Sequence, residues 1–224
     1  MIRYEPVALK DHDSILGKDF NKNFAKEMNS YYHPFISRNR SVQLAKETWE
    51  YAVADSIPNG VWVGAGKNII DVSTPEANID VKGLSCNSLS HLSTEASILQ
   101  NNKKDSDDFA SLFQQQDFHS LKDMFVEPLA EKISKAGNLY VFCVVRHKKN
   151  NSMNFDVYYC LYKASTQDNP ALVEQMTLDG NRSINVPLID SNYGKCYLYI
   201  PKRRLELRVN MEGMKNFLVY SHSV

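Results

Sequence analysis

The chain has 224 residues, enough for one large domain or two small ones. It is 43% hydrophobic and 23% charged with a formal net charge of zero, an ordinary globular composition. No apolar run approaches the roughly 20 residues of a membrane span, and Met1–Pro6 lacks the apolar core of a signal peptide, so a soluble cytoplasmic protein is expected.

The charge is unevenly spread. Residues 1–133 carry 14 Lys/Arg against 19 Asp/Glu, and residues 134–224 carry 12 against 7. A neutral chain can still bind DNA if its basic residues converge. Cys86, Cys143, Cys160 and Cys196 are far apart and form no CxxC pair, which argues against thiolate metal sites and redox motifs. Cys143 and Cys160 read as small buried residues.

In chain order, Asp11–Ser30 predicts a helix, with Phe20, Phe24 and Met28 at a spacing of four. Pro34 is expected to interrupt the segment that follows. Ser41–Ser56 predicts a second helix, capped by Ser41 and ended by Pro58-Asn59-Gly60. Val61–Val63 begins a strand. Residues 68–82 then alternate apolar and polar on either side of a turn at Thr74–Ala77, the pattern of a half-buried hairpin. Ile70, Val72, Ile79 and Val81 should share one face, and Asp71, Asp80 and Lys82 the other. A turn centred between Pro75 and Glu76 puts Asp71 across from Asp80.

Residues 93–108 read as a polar loop. Phe118–Ala136 predicts a long helix with Leu121, Phe125, Leu129 and Ile133 on one face and a kink at Pro128. Strands are expected at Leu139–Val145, Phe155–Tyr162, Ser183–Ile189, Lys195–Ile200 and Leu205–Val209. The pattern predicts a mixed-sheet α/β domain with helices packed on it.

Two opposed carboxylates on a sheet repel each other, and a divalent cation between them relieves the repulsion. A lysine two residues along the same face can orient water or stabilise an anion. Asp71, eight residues, then Asp80-Val81-Lys82 resembles the PD-(D/E)xK nuclease motif. The segment Asn78–Gly83 is similar to the second half-motif of blunt-cutting type II restriction endonucleases. No proline precedes Asp71, whereas Pro75 precedes Glu76, which makes Glu76 the reserve first acid.

The resemblance implies a restriction-endonuclease-like fold: a mixed central sheet flanked by helices, with additional C-terminal strands. It implies one nuclease domain over residues 1–224, with a catalytic core at about 41–165 and a strand-rich DNA-binding part at about 166–224. The implied cofactor is Mg²⁺, held by Asp71, Asp80 and the carbonyl of Val81, with Lys82 beside the scissile phosphate. A glutamate on the preceding helix often joins such a site; Glu47 and Glu50 share a helix face, and Glu50 is the choice. The implied reaction is hydrolysis of double-stranded DNA at a short palindrome by a homodimer, leaving 5′-phosphate ends.

Candidate DNA contacts are Arg146, Lys148 and Lys149 in one loop, and Lys202, Arg203, Arg204 and Arg208 in the densest basic cluster. Asn181, Arg182, Asn185 and Asn192 are candidates for reading bases, or turn residues. Two other functions fit the same residues: a structure-selective or repair nuclease, and a non-catalytic binding module whose hairpin carries only scattered surface charge. The six histidines show no HxxxH or HExxH spacing, which argues against zinc, and there is no GxSxG elbow.

Overall fold

The computed structural model describes residues 2–36, 38, 46–64, 69–86, 96–100, 108–148 and 155–223. The strands are β1 (Ile2–Pro6), β2 (Val61–Trp62), β3 (Val72–Ser73), β4 (Asn78–Cys86), β5 (Ala96–Gln100), β6 (Leu139–Lys148), β7 (Phe155–Thr166), β8 (Thr177–Leu178), β9 (Ser183–Asn185), β10 (Gly194–Tyr199), β11 (Arg204–Val209) and β12 (Val219–Ser223). The helices are α1 (His12–Leu16), α2 (Phe20–Ile36), α3 (Lys46–Ser56), α4 (Asp108–Gln115), α5 (Phe118–Ala136) and α6 (Leu172–Gln175).

β6 is the centre of the architecture. Its first seven residues, Leu139–Val145, are all buried, as a strand covered on both faces requires. β6 pairs parallel with β4 from Asn78↔Leu139 to Cys86↔His147, and antiparallel with β7. A parallel pair needs a long crossover, and the chain between β4 and β6 contains β5, α4 and α5. The first sheet runs β1-β7-β6-β4-β3-β2, with β12 also on β7, and a second runs β5-β11-β10-β9-β8. The molecule is therefore mixed α/β, with a mixed sheet and helices.

Two hydrophobic clusters lie on opposite faces of the first sheet. Ile79, Val81 and Phe142 pack with Phe20, Phe24, Trp49 and Val53 of α2 and α3. Leu84, Val141 and Cys143 pack with Leu121, Phe125 and Leu129 of α5 and with Leu198 and Leu205 of the second sheet. The layers are thus α1–α3, the first sheet, then α5 with the second sheet. No helix among the described residues is long and apolar enough to cross a membrane.

Several expectations need correction. Pro34 does not stop α2, which runs to Ile36. Tyr32, two residues earlier, is anchored against Trp49 and Phe155, with ring centroids 6.0 and 4.9 Å away. β5 occupies part of the stretch expected as loop, because it pairs with β11. β1 was not expected; its partner, β7, lies far along the chain. The strand expected over 183–189 is only Ser183–Asn185. Ser41, Val42 and Leu44, expected in the second helix, lie outside the described residues. All four cysteines are buried and unbridged, as small core residues are.

Candidate active site

The hairpin forms around the expected turn. Thr74 N–H donates to the Ala77 carbonyl at 2.9 Å, and Ala77 N–H donates to Thr74 Oγ1 at 2.9 Å. The ladder pairs Ser73 with Asn78 and Val72 with Ile79. Beyond that point it is not regular. Asp71 N–H also donates to the Ile79 carbonyl, at 2.9 Å, so Asp71 and Val72 together face one residue. This is a β-bulge, which re-aims the side chain it carries.

The bulge has two consequences. The direct opposition expected of Asp71 and Asp80 becomes an offset, in which Asp71 Oδ2 accepts the N–H of Val81 at 2.8 Å. The alternation is also broken at Asp71: Ile70 packs against the cluster on the α5 side, not with Val72 on the other. A strand residue's N–H and C=O point toward the same neighbour, so the Val81 carbonyl faces the Asp71 edge as well.

The acidic face is not solvated. Asp71 is 5% exposed, Asp80 2% and Glu50 2%. A solvent-facing hairpin with scattered charges does not describe these residues. Buried carboxylates are costly unless paired or bound to cations. Lys82 Nζ donates to Asp80 Oδ1. Asp80 Oδ2 is buried without a hydrogen-bond partner among the described residues. Burial, then the Asp80 charge, raises the Asp71 carboxyl above the usual range; Lys82, the Val81 N–H and Lys46 oppose that rise.

Lys46 was not anticipated. Its ammonium lies 2.8 Å from Glu50 Oε1 and 3.5 Å from Asp71 Oδ1, joining α3 to the hairpin. Burial lowers the Lys46 pKa, but Glu50, Asp71 and Asp80 outweigh that and hold it above the ordinary lysine value. Glu50 Oε2 accepts the indole N–H of Trp62 at 2.9 Å. Gly64 makes this approach possible: a Cβ there would lie 2.7 Å from Glu50 Oε2 and 2.8 Å from Trp62 Nε1. A readable sign of Lys46 was its place four residues before Glu50, on the same helix face. Glu47, three residues before Glu50, is exposed. Glu76, the reserve acid, is exposed in the turn.

Lys46 pairs with Glu50 and Asp71, and Lys82 pairs with Asp80; together the three carboxylates and two ammonium groups leave one net negative charge. The donors are all oxygens, the set a hard divalent cation prefers. The orphaned Asp80 Oδ2, the Asp71 carboxylate and the Val81 carbonyl are the groups that fit such an ion. Among the described residues there is no group of three or more His, Cys, Asp or Glu side chains arranged to hold a metal. Backbone and water oxygens would complete the shell, as is usual for Mg²⁺.

The proposed DNA contacts fall in different surroundings. Arg146 lies on β6 with its guanidinium 5.6 Å from the centroid of Trp49 on α3. Lys148 ends β6 and is exposed; Lys149 lies outside the described residues. Arg182 and Arg203 line a groove of about 500 Å³ with Phe109 and Phe113 of α4. Asn185 lines a separate groove of about 770 Å³. Lys202 sits over the Tyr199 ring at 5.7 Å. Arg204 is engaged by buried Glu206, and Arg208 donates to Tyr197 Oη at 3.3 Å. The basic cluster therefore divides between a turn and a strand whose arginines also serve internal pairs.

Comparison with protein-family models, curated proteins and solved structures gives no match, so function has to be read from the residues themselves.

Proposed function

We propose that the protein is a Mg²⁺-dependent DNA endonuclease of the PD-(D/E)xK type, acting as a type II restriction enzyme. The observation that carries this reading is the buried pair Asp71 and Asp80, with Lys82 bonded to Asp80 and Asp80 Oδ2 without a hydrogen-bond partner among the described residues. A surface hairpin would have no reason to bury two carboxylates and leave one oxygen unsatisfied.

The sheet order supports the reading. The strand of Asp80 and Lys82 lies between β3, which follows Asp71, and the central parallel strand β6, and Lys46 links Glu50 of α3 to Asp71. A restriction-endonuclease-like core, extended by the C-terminal sheet, accounts for both.

In this reading Asp71, Asp80 and the Val81 carbonyl would hold the cation, and Glu50 would support it from α3. Bound there, Mg²⁺ would make its water a better nucleophile and offset charge on the scissile phosphate. Lys82 is held by Asp80, within two residues of the ligand set, and stabilises negative charge that grows on the phosphate. Water attacks phosphorus, the bond to the 3′ oxygen breaks, and a 5′-phosphate and a 3′-hydroxyl result. Arg146 and Lys148 at the end of β6, with Lys149 beyond it, contact the DNA backbone. So do Lys202, Arg203, Arg204 and Arg208, and Arg182 and Asn185 approach base edges. A homodimer cuts both strands of a palindrome, one per subunit.

The test is digestion of plasmid and phage DNA by purified protein with Mg²⁺, with EDTA and Asp80→Ala controls. Discrete fragments lost in both controls support a sequence-specific nuclease. Metal-dependent cutting of junctions or damaged DNA alone would favour a structure-selective enzyme. Intact DNA on every substrate would overturn the nuclease reading in favour of a binding module.

A further inference from the structure

Lys46 holds a position that the proposed chemistry leaves unexplained. It reaches Asp71, a proposed metal ligand, from the first turn of α3, and it pairs with Glu50 on the way. Its side chain is 57% exposed, whereas those of Glu50 and Asp71 are 3% and 7% exposed. The stem therefore comes from the solvent side and the charge points inward. Lys82 differs: its side chain is 11% exposed and its partner is Asp80.

We infer that Lys46 is a built-in counter-cation, which offsets part of the negative charge of Glu50 and Asp71 in the metal-free protein and is displaced when a divalent cation binds. The inference rests on the metal-site reading above and adds a regulatory step to it.

The charge balance supports the inference. With Lys46 in place, the three carboxylates and two ammonium groups leave one net negative charge. A divalent ion added to that set would stand next to a positive ammonium within reach of the same Asp71 oxygen. Like charges so close in a buried setting repel strongly. Lys46 can yield where Lys82 cannot. Its contact to Asp71 is long, at 3.5 Å, and its exposed stem allows it to swing to water. Glu50 keeps its second oxygen on Trp62 throughout, so it remains aimed at the site when the ammonium leaves. The coupling is reciprocal: whatever Lys46 contributes to holding the carboxylates without metal, it subtracts from metal affinity.

The experiment uses the full chain without DNA. Binding of Mg²⁺ and of Mn²⁺ is measured by calorimetry for wild type and Lys46→Met, which keeps the apolar stem. Displacement predicts affinity at least about fivefold higher in the variant, the low end of such couplings. It also predicts a lower unfolding temperature without metal and a larger rise on adding it. A second arm needs no variant. Acylation of Lys46 in the wild-type protein, followed by mass spectrometry and normalised to exposed Lys135, should increase severalfold when Mg²⁺ is added. Equal or weaker binding by Lys46→Met, or unchanged Lys46 reactivity at saturating Mg²⁺, would overturn the displacement while leaving the metal site standing. Absence of metal binding in both proteins would overturn the displacement and the metal-site reading together.

Discussion

Asp71 accepts the backbone N–H of Val81 through its own carboxylate, at 2.8 Å, where a regular ladder would have used a backbone carbonyl. The bulge at Asp71 turns that side chain toward the strand carrying Asp80 and Lys82. One carboxylate oxygen is thus fixed by the fold, and the other is left for a cation.

This division separates two substitutions at one position. Asp71→Asn keeps an acceptor for Val81 and removes one of the two neighbouring carboxylate charges. It should unfold at or above the wild-type temperature in metal-free buffer. Asp71→Ala leaves the buried Val81 N–H unpaired and should lose about 1–3 kcal/mol in urea unfolding. Both should abolish metal-dependent cleavage. A cleaving Asp71→Asn variant would shift the role of first acid to another residue.

Lys82 and Asp80 should be coupled in stability as well as in chemistry. Their side chains are 11% and 3% exposed, so removal of one partner leaves an uncompensated buried charge. Lys82→Met is expected to cost about 3–5 kcal/mol unless Asp80 takes up a proton. Adding Asp80→Asn should restore much of that loss, a coupling of at least about 1 kcal/mol in a double-mutant cycle. DNA binding should survive in all three variants, and cleavage in none. Additive losses in the cycle would mean that the pair is incidental.

Gly64→Ala tests the support beneath Glu50. The added methyl would fall on the far ends of Glu50 and Trp62, not on backbone, so the fold should survive. The bond between the two should not. Loss of that bond with a buried oxygen left behind should cost about 1–3 kcal/mol. Trp62→Phe removes the same donor by a different route and should match it. If Glu50 serves the metal, both variants should also bind Mn²⁺ more weakly in calorimetry.

How far the sequence announces this site depends on the range of the interaction. Alternation around residues 68–82 and the turn at Thr74–Ala77 are local, and the hairpin follows from them. The helical stripe Leu121, Phe125, Leu129, Ile133 is local too, and α5 forms as expected. The bulge was not legible, because it appears only when the ladder's hydrogen bonds are traced; with it went the face of Ile70. Burial of Asp71 and Asp80 was not legible either. Alternation marks a polar face but does not say whether other elements pack over it. β1 was missed for a similar reason: five residues, ending in Pro6, gain strand geometry from β7. Lys46 was within reach, since a lysine four residues before a site glutamate shares its face. Arg204 and Arg208 show the converse. Their density in the sequence suggested DNA, and it does not show that Arg204 also pairs with Glu206 or that Arg208 also donates to Tyr197.

His222 should make the fold sensitive to mild acid. It is 8% exposed on β12 and packs against Phe24, with ring centroids 6.4 Å apart. Nδ1 lies 2.9 Å from Ser221 Oγ, and Nε2 is buried without a partner. Burial pushes the pKa down from 6.5 to about 4. Between those values the unfolded chain binds a proton that the folded chain refuses, so folding stability falls as pH drops from 6.5 toward 4. Above 6.5 the imidazole is neutral in both states and contributes no slope. The full loss from this residue should be about 3 kcal/mol. Burial also lowers the His12 pKa, which adds a slope of the same sign. Urea unfolding from pH 7.5 to 4 should therefore show a steep loss in wild type and a shallower one in His222→Phe, with His12 contributing to the slope that remains. Identical slopes in the two proteins would mean that His222 takes up its proton in the folded state, through an opening of β12 away from α2.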